Sequence, residues 1–247
     1  MTYKLKSSET SNLSTGKTTS KKTYSYDENG NNIKEVDSIK NITKEMTYDV
    51  DNRLDTYTQT ENNKTTTQSN LYNGNGQRIQ KSEGDNTINY YYQNGNVLYT
   101  TDKDEKKTSH NFVGLEGNTI STMRYNISGL EYYVYNKDIK GSTTNIIDNN
   151  KNAKISYKYS DFGETEEFGD TDFYNEIAYT GGIYDESTAL YYLNARYYNP
   201  EDARFITQDT YRGEVNNPSS LHLYAYCTNN PINYVDPTGH WVTSIGI

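Results

Sequence analysis

The chain has 247 residues, which is long for one compact domain and short for two. It contains 27 tyrosines against five phenylalanines, one tryptophan and four prolines, and its formal net charge is −9. The acidic balance argues against a dedicated nucleic-acid-binding protein, which normally carries a basic face, and the single cysteine excludes internal disulfides and a multi-cysteine zinc site. Because aromatic residues are abundant and strong helix formers are scarce, we predict an all-β fold of many short strands joined by polar turns.

The amino-terminal segment carries no visible targeting signal. Its first residues, Met1-Thr-Tyr-Lys-Leu-Lys, lack the apolar core of a signal peptide. No stretch of the chain approaches the length of a membrane span, so we predict none. We expect that the chain either stays inside the cell or is a piece of a longer protein.

An internal repeat organises the first two thirds of the sequence. Three copies begin at Tyr24, Met46 and Asn70, and fainter copies follow at 89–97 and 157–163. Each runs from an aromatic strand into an Asp/Asn/Gly corner and, in most copies, on into a strand with an aliphatic residue. Because Asp, Asn and Gly tolerate a left-handed backbone, each copy predicts a β-hairpin. We expect the tyrosine rings to pack inside with each hydroxyl on a polar partner, and the long sheet to stack or curl.

From Asn175 onward the sequence becomes denser in aromatic residues and contains an ordered series of motifs. In chain order they are Tyr179-Thr-Gly-Gly-Ile-Tyr-Asp185, Leu190-Tyr-Tyr-Leu-Asn-Ala-Arg-Tyr-Tyr198, Arg204-Phe-Ile-Thr-Gln-Asp209 and Asp236-Pro-Thr-Gly-His240. This series resembles the RHS (rearrangement hot spot) repeat-associated core domain, and the preceding repeat resembles the YD repeat of the same proteins. The residues of these motifs are similar to those of family members from Gram-positive bacteria.

The resemblance implies a β-strip that spirals into a hollow shell, closed at one end by the core domain and followed by a variable toxin. Residues 1–174 would form the YD-repeat strip, 175–240 the core domain, and 241–247 a short remnant after an expected cleavage site. The implied partners are a C-terminal toxin domain, absent from this chain, and the remaining shell repeats. The implied location is secreted or at the cell surface, as part of a longer protein.

The resemblance also implies chemistry, because many members cut themselves after the Asp-Pro-x-Gly motif by an aspartyl-protease-like reaction. Asp209 and Asp236 match the two aspartates, Arg196 matches an arginine kept near them, and the expected cut lies between His240 and Trp241. Aspartyl proteolysis needs two carboxylates, one acting as base toward water and the other as acid, and an arginine can orient them. Each residue also has a structural interpretation, as a turn residue or as an ion-pair partner.

The sequence differs from the usual family motif at positions where the difference has a physical effect. His240 stands where relatives commonly have Leu, and Ala189 and Ala203 replace two glycines. If those glycines have positive φ, alanine costs about 1 kcal/mol at each position.

Other chemistry receives no support from the sequence. The histidines show no metal-ligand spacing and Cys227 has no nucleophile motif, so we predict no metal, no cofactor and no activity on external substrates. Two alternatives stay open. One is a cell-surface β-repeat protein that binds wall polysaccharide through exposed tyrosines, and the other is a non-functional, displaced shell fragment.

Overall fold

The computed structural model describes residues 3–115, 117–126, 129–170 and 172–245 and confirms the predicted all-β fold. Fifteen strands form one antiparallel sheet, here called the strip, in which each strand pairs with the next along the chain. Residues 246 and 247 of the predicted remnant lie outside the described residues. The strands of the strip are β1 (Ser7–Ser11), β2 (Thr18–Tyr26), β3 (Asn32–Asp37), β4 (Ile42–Tyr48), β5 (Leu54–Glu61), β6 (Lys64–Tyr72), β7 (Arg78–Glu83), β8 (Asn86–Gln93), β9 (Asn96–Thr101), β10 (Lys107–Val113), β11 (Thr119–Asn126), β12 (Gly129–Lys137), β13 (Thr143–Asp148), β14 (Ala153–Tyr159) and β15 (Thr165–Gly169).

Residues 175–240, here called the core segment, contain smaller elements. Its four-stranded antiparallel sheet consists of β16 (Ile183–Asp185), β17 (Leu190–Leu193), β18 (Arg196–Asn199) and β19 (Arg204–Phe205). A further pair joins β20 (Tyr234–Val235) to β21 (Thr243–Ser244), which follows the core segment, and short 3-10 helices lie at Tyr179–Gly181, Pro218–Leu221 and Cys227–Asn229. The predicted domain boundary at residue 174 falls between the two sheets and stays a prediction.

The hairpin corners of the strip are built by the repeated Asp and Asn residues. The side chains of Asp27, Asp49 and Asn73 each accept a hydrogen bond from the backbone N–H four residues later, at 2.7 to 3.0 Å. Such contacts between a side chain and nearby backbone stabilise tight turns. The repeat therefore specifies each hairpin locally.

A tyrosine near each of several corners ties one hairpin to the one before it. The hydroxyl donates to a backbone carbonyl 14 to 18 residues earlier, at 2.6 to 2.8 Å. This arrangement gives four tyrosine hydroxyls of the strip the polar partner expected from the sequence. We call it the tyrosine ladder; its contacts are Tyr48 to Asn32, Tyr72 to Leu54, Tyr92 to Arg78 and Tyr159 to Thr143.

One apolar core lies where the core segment packs against the strip. One cluster draws on both parts, with Met46, Leu54 and Tyr57 from the strip and Leu190, Tyr192, Tyr197 and Ile206 from the core segment. A second cluster lies within the core segment around Tyr191, Tyr198 and Tyr226. The strip and the core segment thus share one interior.

A group of buried charges lies at the same contact. Asp185 of the core segment pairs with Arg78 of the strip, and both side chains are fully buried. Lys81 Nζ lies 3.2 Å from Asp185 Oδ1 and 2.6 Å from Glu176 Oε1. We call Arg78, Lys81, Glu176 and Asp185 the buried charge cluster.

Ala189 and Ala203 both have φ of 56°, in the left-handed region that favours glycine. The condition on which the sequence prediction depended, a positive φ at these two positions, is therefore met. We expect Ala189→Gly and Ala203→Gly each to raise the free energy of unfolding by about 0.5–1 kcal/mol, because glycine removes the contact of Cβ with the backbone. Urea unfolding of each variant measures the change.

Ala178 is the matched control, since its φ is −129° and its methyl group is buried. Ala178→Gly adds backbone freedom to the unfolded chain and removes a packed methyl group, so it should lower the free energy of unfolding. A loss of stability in all three variants would contradict the strain at positions 189 and 203.

Candidate active site

The residues singled out by the sequence come from three separate stretches of the chain. Arg196 is the first residue of β18, and Asp209 lies in the loop after β19. Asp236 follows β20 directly, and His240 and Trp241 lie in the connection from β20 to β21. The structure brings the arginine, both carboxylates and the imidazole into contact.

Arg196 lies at the centre of this group. Its Nη2 is 2.7 Å from Asp209 Oδ2 and 3.8 Å from Asp236 Oδ2. Its Nε donates to the carbonyl oxygen of Gly239, one residue before His240. The guanidinium also lies over the ring of Phe205, with Cζ 3.6 Å from the centroid. One buried cation therefore holds both carboxylates and the segment with the expected cut.

His240 contacts both carboxylates. Its Nδ1 lies 2.9 Å from Asp209 Oδ1, and its backbone N–H donates to Asp236 Oδ1 at 3.1 Å. The residue whose carbonyl would be attacked is thus bound through its side chain and its backbone.

Gly239 allows this close approach. Its φ is +75°, and a Cβ built there would lie 2.5 Å from the carbonyl oxygen of Leu193 and 3.0 Å from the nitrogen of Arg196. The neighbouring backbone is bound to the turn between β17 and β18, because Ala195 N–H donates to the carbonyl of Thr238 at 3.1 Å. A side chain at position 239 would push the segment off the arginine.

The two carboxylates have opposite electrostatic environments. Burial by itself raises the pKa of Asp209, but the hydrogen bond with His240 and the charge of Arg196 outweigh it, so the pKa lies below its usual value. Burial raises the pKa of Asp236 above its usual value, and the charge of Arg196 does not cancel this effect. Burial also lowers the pKa of Arg196 to about 10, against the influence of both carboxylates. Divergent pKa values in a carboxylate pair are typical of an acid and a base in one site.

Thr238 is a member of the site that the sequence interpretation missed. Its Oγ1 accepts a hydrogen bond from the backbone N–H of Trp241 at 3.1 Å and donates to Asp236 Oδ1 at 3.4 Å. The Trp241 ring packs on Tyr211, with the ring centroids 5.4 Å apart. A variable position between Pro237 and Gly239 carries no signal of its own in the sequence.

A cavity of about 660 Å³ lies between the strip and the core segment. Its wall includes Tyr92 and Asn111 from the strip, Asn194 from the core segment, and Val235 and Thr243 from β20 and β21. The strands on either side of the expected cut therefore border this cavity.

Three further features of the described residues bear on cysteine chemistry, metal binding and membrane insertion. Cys227 is buried, and burial raises the pKa of its thiol to about 12. Across residues 3–245, excluding the undescribed positions, no group of three or more His, Cys, Asp or Glu side chains is arranged to hold a metal ion. Within the same residues, no helix is long and apolar enough to cross a membrane.

The fold and this site define a class of protein, a long β-strip closed by a compact tyrosine-rich segment. The family model of the teneurin YD-shell matches residues 71–232, which is more than half of the chain. The chain belongs to this family of RHS/YD-repeat proteins.

Three relatives illustrate the range of the family. The chain is 35% identical over 222 residues to the tRNA3(Ser)-specific nuclease WapA of Bacillus spizizenii and 33% identical over 222 residues to the tRNA nuclease WapA of Bacillus subtilis. It is 26% identical over 252 residues to Teneurin-m of Drosophila melanogaster. These matches cover 88%, 88% and 89% of this chain but only 9% of each relative.

Solved structures show the same fold at lower identity. The crystal structure of TcdB2-TccC3-Cdc42 superposes with a TM-score of 0.63 over 97% of this chain and 14% of that chain, at 17% identity. Together with the family match at residues 71–232, this makes the chain a structural segment of a YD-repeat shell.

Proposed function

We propose that this shell segment belongs to a polymorphic toxin, encloses the start of a C-terminal effector, and cleaves its own peptide bond between His240 and Trp241. One observation carries the cleavage proposal. Arg196, Asp209 and the Asp236–His240 turn converge although they come from three separate parts of the core segment.

The opposite pKa directions assign a role to each carboxylate. Asp209, held ionised by Arg196 and His240, takes a proton from a water molecule whose oxygen bonds to the carbonyl carbon of His240. Asp236, whose pKa is raised by burial, acts as the acid and gives its proton to the carbonyl oxygen. The product of this step is a tetrahedral carbon that bears two hydroxyl groups and the nitrogen of Trp241. Arg196 keeps both acids and the substrate backbone in place throughout.

The cavity supports enclosure of an effector. The tail beyond the cut pairs with the shell, because Val235 lies opposite Thr243 in the β20–β21 pair and Ile245 N–H donates to Asn233 at 2.9 Å. A cut at residue 240 therefore leaves the new amino terminus bound beside the cavity. The curated relatives named as nucleases support an effector in this position, and the proposal places the longer protein outside the cell or on its surface. Fractionation of the producing cells tests that location.

The dependence of cleavage on pH tests the acid–base assignment. The reaction needs Asp209 ionised and Asp236 protonated, so the rate should fall as the pH drops through the lowered pKa of Asp209. It should also fall as the pH rises through the raised pKa of Asp236, which gives a bell-shaped profile. Intact mass of the C-terminally tagged chain, read under denaturing conditions at a series of pH values, measures the loss of residues 241–247.

Denaturing conditions are needed because the β20–β21 pair holds the cut tail in the folded protein. A folded chain that stays intact at every pH contradicts self-cleavage and leaves the shell role alone. A rate that rises continuously with pH contradicts Asp236 as the acid.

A further inference from the structure

The leaving nitrogen of the expected cut lies next to a hydroxyl group that is itself next to a catalytic acid. Trp241 N, the nitrogen of the scissile bond, lies 3.1 Å from Thr238 Oγ1. The same oxygen lies 3.4 Å from Asp236 Oδ1. Asp236, Thr238 and Trp241 N thus form a continuous line of hydrogen-bonding groups.

We propose that Thr238 is a catalytic residue that carries a proton from Asp236 to the nitrogen of Trp241 when the bond breaks. The inference rests on the self-cleavage proposed above and adds the protonation of the leaving group. An amine leaves a tetrahedral carbon readily only when its nitrogen has been protonated, so a donor within hydrogen-bond reach of that nitrogen is required.

The tetrahedral carbon breaks down through a series of proton transfers. One hydroxyl group of the tetrahedral carbon gives its proton to Asp236, which gives a proton to Thr238 Oγ1, which gives its own proton to Trp241 N. The carbon–nitrogen bond breaks, its electron pair stays on the nitrogen, and the carbonyl of His240 reforms as a carboxylic acid. The proton that Asp209 took from water returns to Asp236 through solvent. One water molecule is consumed, and both carboxyl groups recover their starting states.

The backbone contacts suit a hydroxyl group in this role. His240 N–H donates to Asp236 Oδ1 at 3.1 Å and fixes the carboxyl group beside the turn. Asp236 is buried, and burial raises its pKa, which favours a role as proton donor. Asp236 itself is not hydrogen-bonded to Trp241 N in the described contacts, whereas the Thr238 hydroxyl bridges the two.

Two substitutions at position 238 separate the hydroxyl from the shape of the side chain. Thr238→Val keeps the shape and removes the hydroxyl, and we expect its cleavage rate to fall by at least about 100-fold, the lower end for general acid catalysis. Thr238→Ser keeps the hydroxyl and should restore most of the rate. Intact mass against time measures both.

A spectroscopic readout separates proton transfer from support of the turn. Trp241 is the chain's single tryptophan, and its ring packs on Tyr211, so its fluorescence reports the position of the scissile segment. In an Asp209→Asn background, which keeps the chain uncut, Thr238→Val should leave the emission unchanged. Slow cleavage with unchanged emission supports the proposal.

Three outcomes would overturn the proposed role of Thr238. Cleavage of Thr238→Val at the parent rate overturns the role of Thr238 and leaves self-cleavage standing. Slow cleavage with a shifted emission overturns it as well, because Thr238 then only shapes the turn. A parent chain that is folded and uncut removes the self-cleavage on which the proposal rests, and with it the proposal.

Discussion

Asp209→Asn should leave the chain intact, while the parent loses everything after His240. The amide keeps the size of the side chain but cannot accept a proton from water, so the attack on the His240 carbonyl loses its base. We expect the rate to fall by at least about 100-fold. The amide also loses the charge that pairs with Arg196 at 2.7 Å. Intact mass of the tagged proteins, purified side by side, gives the result directly.

Asp85→Asn is the matched control, because Asp85 lies in the exposed turn between β7 and β8, far along the chain from the site. It removes the same charge and should cleave as the parent does. Equal loss of the tail in the parent and in Asp209→Asn would point to a contaminating protease or a different carboxylate. That outcome would remove Asp209 from the mechanism.

The largest expected effect on stability comes from the buried charge cluster. Arg78 and Asp185 have fully buried side chains, and Arg78 Nη2 lies 3.0 Å from Asp185 Oδ1. Arg78→Met leaves the buried Asp185 carboxylate with Lys81, at 3.2 Å, as its remaining cationic partner in the cluster. Removal of one partner of a buried pair costs about 3–5 kcal/mol when the remaining charge is uncompensated, so with Lys81 still present we expect a loss at the lower end of that range. Chemical denaturation of the two proteins at neutral pH measures this loss.

The double variant Arg78→Met with Asp185→Asn provides the internal comparison. Residues in direct contact should show non-additive losses, so the double variant should be less unstable than the sum of the single variants. Lys34→Met is the exposed control, since the Lys34–Glu45 pair lies at the surface and such pairs contribute about 0–1 kcal/mol. Similar losses for Arg78→Met and Lys34→Met would contradict the cluster's role in joining the strip to the core segment.

The hairpins of the strip could be predicted because their determinants are local. Asp27, Asp49 and Asn73 bind backbone groups four residues away, so the pattern and the structure coincide. The contact of Arg78 with Asp185 spans 107 residues, and no local pattern indicates that a strand will bury an arginine. The hairpins of the strip could therefore be predicted from the sequence, whereas the packing of the strip on the core segment could not.

The candidate site was predictable only in part for the same reason. Arg196, Asp209 and Asp236 were named through the family resemblance, and the structure places them together; their catalytic role stays a prediction. The contact of Thr238 with Trp241 depends on the conformation of the turn around Gly239, which spacing does not reveal. The side-chain contact of His240 with Asp209 was missed because relatives commonly carry Leu there.

The core segment contacts residues that lie far earlier in the sequence, so these contacts can form only late in synthesis. The strip leaves the ribosome first, and its hairpins need only neighbouring residues to form. Tyr224 must then return to Gly30, 194 residues earlier, and Tyr197 to Asn70, 127 residues earlier. Arg196, Asp209 and Asp236 are translated in that order, and all three come after the strip. The site can therefore be complete only after the strip that supports it has been synthesised. Self-cleavage would then act as a checkpoint, with the nascent chain cut only after its shell has folded.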